Sequence, residues 1–300
     1  MQRITRDQLI GLDSSGLPAA ATVRSGEQLV TETIAATVSP FLTGPIEVDG
    51  LNAGDSLAVT IDDIDVQGPG WIGFAGTRLA WEPWGGVLRD QAVTSVERTV
   101  EADNHLIRLS PSVSLPSRLM VGWIGLILPS YEADPWDHGG NLDTRTLGVG
   151  STLYLHDETG AGRFLIGDVH AAMGDGEVSG AGVEIAADVT ISVKVIKETR
   201  PHRPMVSHAA GLSHLCSRFV ESESYRQCIF DAALHVAYSQ GVSFGEANAW
   251  LGAIGDLRVS SVVAHTPTYR MDVPHEVLRP AEELLREVDR TRLPSSPRPS

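Results

Sequence analysis

The sequence predicts a mainly β chain of α+β class, a β-sandwich or distorted barrel with a two-helix insertion late in the chain. Three observations predict it. Glycine and proline, 30 and 17 residues, punctuate the chain every few positions up to about residue 205. Between these breaks, apolar and polar residues alternate as in half-buried strands. A helical period appears only after about residue 210, so helices do not alternate with strands as a parallel α/β sheet requires.

Ile46–Val48, Ser56–Asp62, Ser95–Glu101, His105–Leu109 and Leu119–Leu128 read as strands. Ser151–His156 and Arg163–Ile166 read as a hairpin about the turn Asp157–Gly162. The clearest strand is Val189–Val195, where Val189, Ile191, Val193 and Val195 alternate with Thr190, Ser192 and Lys194. Ser224–Gln240 then puts Ile229, Phe230, Ala233, Leu234, Ala237 and Tyr238 on one helical face, with Gly241 where a helix would stop. Ser243 and Glu246 have the spacing of a capping box that opens a second helix, to be ended by Gly252 or Gly255. Leu257–Ala264 returns to strand. The expected organisation is one domain over residues 1–285: a β body to about 205, a helical segment from about 210 to 255 and a closing strand from about 256 to 275. A disordered tail is expected over 286–300.

A chain of 300 residues with 42% hydrophobic and 20% charged residues can bury a core of its own. The formal charge of -15 argues against a nucleic-acid partner, whose phosphates call for clustered Lys and Arg. The longest apolar run, Leu119–Leu128, is far short of the roughly 20 residues a membrane helix needs. MQRITRDQLIG lacks the apolar core of a signal peptide, and Cys216 and Cys228 read as buried thiols of a reducing compartment. The expectation is a cytoplasmic protein that binds neither membrane nor nucleic acid.

Chemistry-bearing residues concentrate between Asp134 and Glu184 in three pieces. His138-Gly139-Gly140-Asn141-Leu142-Asp143 crowds His, Asn and Asp around a glycine pair that permits a tight turn or close approach. Gly167-Asp168-Val169-His170, placed on a strand, points Asp168 and His170 to one face. Gly174-Asp175-Gly176-Glu177 is a flexible turn ending in a carboxylate, with Glu184 a few residues on. Taken singly, these read as an ordinary turn, a surface ion pair or satisfied buried histidine, and solvated acids. Together they form a dense set of oxygen and nitrogen donors suited to Zn²⁺ or a similar divalent ion. The chain has no HExxH helix. Its two cysteines stand apart from the cluster, among apolar helix positions.

The stretch DHGGNLDTRTLGVGSTLYL followed by GDVHAAMGDGEVSGAGVEI resembles the signature region of the acetamidase/formamidase family. TGPIEVDGLNAGDSLAVTIDDI and GVSFGEANAWLGAIGDLRVSSVV are similar to that family's N-terminal strand pair and its late helix and final strand. The resemblance implies a β-rich homo-oligomer that hydrolyses small linear amides by metal-activated water. The positions matching its motif residues are His138, Asn141, Asp143, Asp168, His170, Glu177 and Glu184. In this reading Asp143, Asp168 and His170 hold the metal, Glu177 is the general base and Asn141 donates to the oxyanion. His138 and Glu184 orient ligands or contact substrate. Leu142 replaces a methionine usual in the family, a volume-conserving change of little consequence. Met173 replaces a glutamine common there, which, where that side chain lines the pocket, implies an acyl group larger or more apolar than formyl. Two other readings stand beside it: a lactam or other amide hydrolase on the same scaffold, and a non-catalytic β protein that binds a metal or small ligand.

Overall fold

The computed structural model describes residues 1–10, 16–36, 42–74, 96–128 and 134–290. Its strands begin with β1 (Gln2–Ile4), β2 (Leu9–Ile10), β3 (Ala21–Arg24), β4 (Gln28–Glu32), β5 (Leu42–Asp49), β6 (Asp55–Val66) and β7 (Gly70–Phe74). β8 (Val96–Ala102), β9 (Leu106–Ser110), β10 (Val113–Pro116), β11 (Met120–Leu126), β12 (Gly139–Asn141) and β13 (Thr152–Asp157) follow. The last are β14 (Arg163–Ala172), β15 (Val183–Ile185), β16 (Ala187–Ile196), β17 (Met205–His208), β18 (Gly211–Ser217), β19 (Asp256–Ser261) and β20 (Thr268–Val273). The helices are α1 (Glu221–Gln240), α2 (Phe244–Ile254) and α3 (Ala281–Glu287).

Two sheets form, and neither closes into a barrel among the described residues. The nine-stranded sheet runs β1-β4-β16-β6-β13-β17-β18-β20-β19, and the eleven-stranded sheet is built around β14, β11 and β5. Ile46, Ile124, Phe164 and Ile166 of the larger sheet pack with Leu57, Val59, Ile61, Val189 and Ile191 of the smaller. Each is fully buried, which stabilises the fold by roughly 1.5–3 kcal/mol per side chain. The alternation in β16 is realised through Lys194: Val189, Ile191 and Val193 are buried and Thr190, Ser192 and Lys194 are not, but Val195 is only half-buried. The sandwich with late helices is therefore the fold.

The helices form where expected. Gly241 ends α1 in the left-handed region at φ 67°, and the Ser243 hydroxyl accepts from the Glu246 amide to open α2, which ends at Gly255. Cys228, Ala232, Ala233 and Val236 of α1 pack on Cys216, Tyr269 and Met271 of β18 and β20. α3 follows the expected closing strand and buries Leu284 and Leu285 beside Tyr238, beyond the two helices read from the sequence. Ser95 and residues 291–300, the end of the expected tail, lie outside the described residues.

One expectation fails. Ser151–His156 and Arg163–Ile166 are strands but not a hairpin, since β13 pairs with β6 and β17 while β14 pairs with β11, β5 and β15. The intervening turn crosses between the sheets. The Asp157 carboxylate holds it by accepting from the amides of Thr159, Gly160 and Gly162.

A buried polar tie joins β6 to the segment before β17. The His202 Nδ1–H donates to Arg203 O at 2.8 Å, so its Nε2 accepts from the Ser56 hydroxyl at 2.7 Å. Burial pushes the His202 pKa down to about 3. A histidine depressed on folding stabilises fully above its unfolded pKa of about 6.5 and loses that contribution as pH falls toward the folded value. At pH 5 the loss is about 2 kcal/mol. Denaturant unfolding of His202→Gln should therefore weaken between pH 7 and pH 5 by about 2 kcal/mol less than wild type. An identical pH dependence would contradict a neutral buried His202.

Candidate metal centre

The centre is built around a glycine. Gly122 lies in the middle of β11, between β12 on one side and β14 on the other. The Asp143 amide, just past β12, donates to Gly122 O at 3.1 Å. A Cβ on Gly122 would stand 2.5 Å from Asp143 Oδ1 and 2.8 Å from Asp168 Oδ2. The missing side chain is therefore what lets the two carboxylates meet. The Gly139–Gly140 pair in β12 takes φ of 93° at both residues, the left-handed backbone that its sequence suggests.

β14 changes neighbours at the site. On one edge it pairs with β5 through Gly167 and with β15 from Val169 onward. Asp168 sits at the changeover with φ of 57°. His170 is opposite Glu184 of β15, which puts imidazole and carboxylate side by side. The His170 Nε2 lies 3.4 Å from Asp168 Oδ1 and 3.0 Å from Glu184 Oε1. Glu177 comes from the loop between β14 and β15, and its Oε2 accepts from the Ser261 hydroxyl at 3.0 Å.

Asp143, Asp168, His170, Glu177 and Glu184 thus form one buried cluster. Ligand atoms of Asp143, Asp168 and His170 lie within 4.8 Å of one another, as do those of His170, Glu177 and Glu184. Three of the four non-glycine residues with positive φ among those described are Asp143, Asp168 and Glu177. Left-handed backbone costs an L-residue roughly 1–2 kcal/mol, and here it is concentrated where side chains must converge.

The electrostatics are those of four carboxylates around one imidazole. Burial, with the charges of Glu177 and Asp168, pushes Asp143 well above the usual carboxylate range. Burial raises Glu184 to about 8 and also raises Glu177. Burial opposes ionisation of Asp168 as well, but the charge of His170 together with hydrogen bonds to His170, Glu184 and Asp143 holds that carboxyl low. Burial disfavours a charged His170, yet Glu184 and Asp168 drive its pKa well above the usual imidazole range. Buried like charges repel unless a cation or protons intervene.

Hydrogen bonds within the protein do not satisfy this set. Asp143 Oδ1, Asn141 Oδ1, Glu184 Oε2 and both His170 nitrogens are buried without an aligned hydrogen-bond partner. The contacts of His170 Nε2 with the acids are close but out of line for hydrogen bonding. Unpaired oxygen donors around an imidazole nitrogen fit a divalent cation by number and chemistry.

Of the residues singled out in the sequence, Asp143, Asp168, His170, Glu177 and Glu184 come together. Asn141 joins them by donating its Nδ2–H to an Asp143 oxygen. Glu184 is 3% exposed and touches the imidazole, so the solvated alternative does not hold for it. His138 belongs to neither group; its ring folds back over Gly140, and burial lowers its pKa to about 4. Met173 is buried just past β14. Cys216 and Cys228 are free buried thiols, both raised in pKa by burial. The sequence reading missed Gly122, Ser261 and Gly182, whose amide donates to Glu184 Oε1 at 3.0 Å. Gly122 had a signal, a glycine interrupting an apolar strand. Ser261 had none.

A β-sandwich with a buried imidazole–carboxylate centre at the crossing of three strands defines the structural class. Residues 132–226 match the family model described as the Acetamidase/Formamidase family. Over those residues the chain is similar to that family, and they include positions 138–184. The formamidase of Methylophilus methylotrophus is 28% identical over 215 residues, which is 53% of this chain and 52% of that protein. The chain spans about half the length of the curated relatives it matches. An acetamidase from Bacillus halodurans superposes with a TM-score of 0.81 at 28% identity, over 91% of this chain and 97% of that one. A protein described as a predicted acetamidase/formamidase from Thermoanaerobacter tengcongensis gives 0.81 at 27%, over 92% and 96%. A gamma lactamase from Delftia acidovorans, at 19% identity and a TM-score of 0.59 over 94% and 96%, shares the fold alone.

Proposed function

We propose that this chain hydrolyses a small linear amide to a carboxylate and ammonia at the cluster around His170, with a divalent cation, zinc favoured, as cofactor. The observation that carries the reading is the convergence of five buried donor side chains, among which Asp143 Oδ1, Glu184 Oε2 and both His170 nitrogens have no hydrogen-bond partner. The relatives named formamidase and acetamidase support hydrolysis of a small amide.

Asp143, Asp168 and His170 would hold the cation. When bound, it supplies Lewis acidity toward water and the amide carbonyl. Glu177 takes the proton of the attacking water as the new C–O bond forms. It returns that proton to the nitrogen as the C–N bond breaks and ammonia leaves. Its raised affinity for protons, from burial, suits a group that must both accept and give one. Asn141 has one amide hydrogen committed to Asp143, leaving the second for the developing oxyanion. Glu184 fixes the His170 ring from the opposite strand, and His138 is assigned to the substrate side.

The proposal extends to a homo-oligomer in the cytoplasm that binds neither nucleic acid nor membrane. The net charge of -15 supports the first exclusion. Among the described residues no helix is long and apolar enough to cross a membrane.

Ammonia release from formamide, acetamide, longer linear amides and a small lactam tests the reading. Linear amides should be turned over, with acetamide or larger preferred to formamide because Met173 replaces a hydrogen-bonding amide. A clear formamide preference would remove that role of Met173. Lactam opening without ammonia from any linear amide would replace the linear-amide reading.

A further inference from the structure

Arg270 is one of only two arginines buried among the described residues, and the deeper, at 2% exposure. It stands on β20, in the sheet opposite the centre's strands. Its Nη1–H and Nη2–H donate to the two oxygens of Asp175 at 2.8 and 2.9 Å, a bidentate grip. Its Nε–H donates to Asp272 at 3.1 Å, and Nη1 also reaches the Ser260 hydroxyl at 3.1 Å. Arg145 touches Asp175 too, but at 3.8 Å and from a more exposed position.

The adjoining residues are held by the same strand pair. The Gly176 amide donates to Ser260 O at 2.9 Å, the Val262 amide donates to Gly176 O at 3.2 Å, and Ser261 donates to Glu177. Asp175, Gly176 and Glu177 are thus gripped in succession by β19, β20 and the residue after β19. The loop needs that grip. It contains Gly174, Gly176 and Gly180, and it carries Glu177 in left-handed backbone. Left alone, such a segment would sample many conformations.

We infer that Arg270 is a positioning residue, which fixes Glu177 at the centre by clamping Asp175 two residues before it. The inference rests on the reading of Glu177 as the proton carrier. A carboxylate held by backbone two residues away moves with that backbone, and displacement by about 1 Å can cost 10²-fold in rate.

The test uses the purified, cation-loaded protein and the variants Arg270→Gln, Arg270→Lys and Asp175→Asn, with kinetics, bound metal and amide hydrogen exchange. Arg270→Gln should lower kcat by about 10²-fold, leave KM within about threefold and keep the wild-type metal content. Arg270→Lys should recover part of that loss, since an ammonium keeps the charge but not the two-pronged geometry. Asp175→Asn is the milder variant, leaving Arg270 paired with Asp272. It should also lower kcat and speed exchange at Gly176 and Glu177 more than elsewhere in the sheets. Wild-type kcat in Asp175→Asn and in folded Arg270→Gln would overturn the inference. So would faster exchange spread evenly over β19 and β20, which marks a purely structural arginine. If wild type released no ammonia from any amide, the activity reading would fall. The exchange measurement would still decide the clamp, because unchanged exchange at 175–177 would overturn it alone.

Discussion

Replacing Glu177 by glutamine is expected to lower kcat for ammonia release by about 10²–10⁴-fold while bound metal stays at the wild-type level. The substitution keeps the side chain's length and its ability to meet the Ser261 hydroxyl, and removes only the capacity to hold a proton. The metal measurement matters as much as the rate. Glu177 also lies within ligand distance of His170 and Glu184, so a fall in bound metal would make it a ligand. Substantial activity with metal retained would remove it from proton transfer altogether.

Gly122→Ala is expected to have an effect of similar size by another route. Gly122 does not have a positive φ, so alanine suits its backbone; the conflict lies with what its Cβ would meet. Beyond the two carboxylate oxygens, the Asp168 carbonyl oxygen would be 2.9 Å away. That oxygen belongs to β14, which is hydrogen-bonded to strands on both edges and cannot withdraw cheaply. Asp143 and Asp168 must then turn aside. Bound metal should fall at least about tenfold and kcat/KM by about 10²-fold, in a protein that still folds. Elemental analysis and steady-state kinetics on the folded variant would check this. Wild-type metal content with full activity would show that the carboxylates do not need the space.

The sequence was most legible where one element carries its own period. The alternation in Val189–Val195 and the stop and cap signals at Gly241 and Ser243 each arise from local backbone chemistry. Pairing was less legible, because a period shows that a strand exists but not which sheet it joins. That is why Ser151–Ile166 read as a hairpin while its strands belong to different layers. The centre was legible as far as it is local: Asn141 and Asp143 lie at and just past the end of β12 and Asp168 and His170 on β14, the two strands that flank β11 and stand close in sequence. Glu184 was ambiguous because its strand has three residues, too few to show a period. Ser261 and Arg270 reach the loop across 84 and 95 residues, and nothing in their own neighbourhoods marks them.

Whether His170 and its carboxylates hold a working cation is decided by elemental analysis of purified wild type and His170→Ala, paired with ammonia release before chelation, after it and on restoring the metal. Wild type should hold one divalent ion per chain and the variant little, with activity lost to the chelator and recovered on reloading. Undiminished ammonia release from a metal-free protein, or full metal content in His170→Ala, would contradict it.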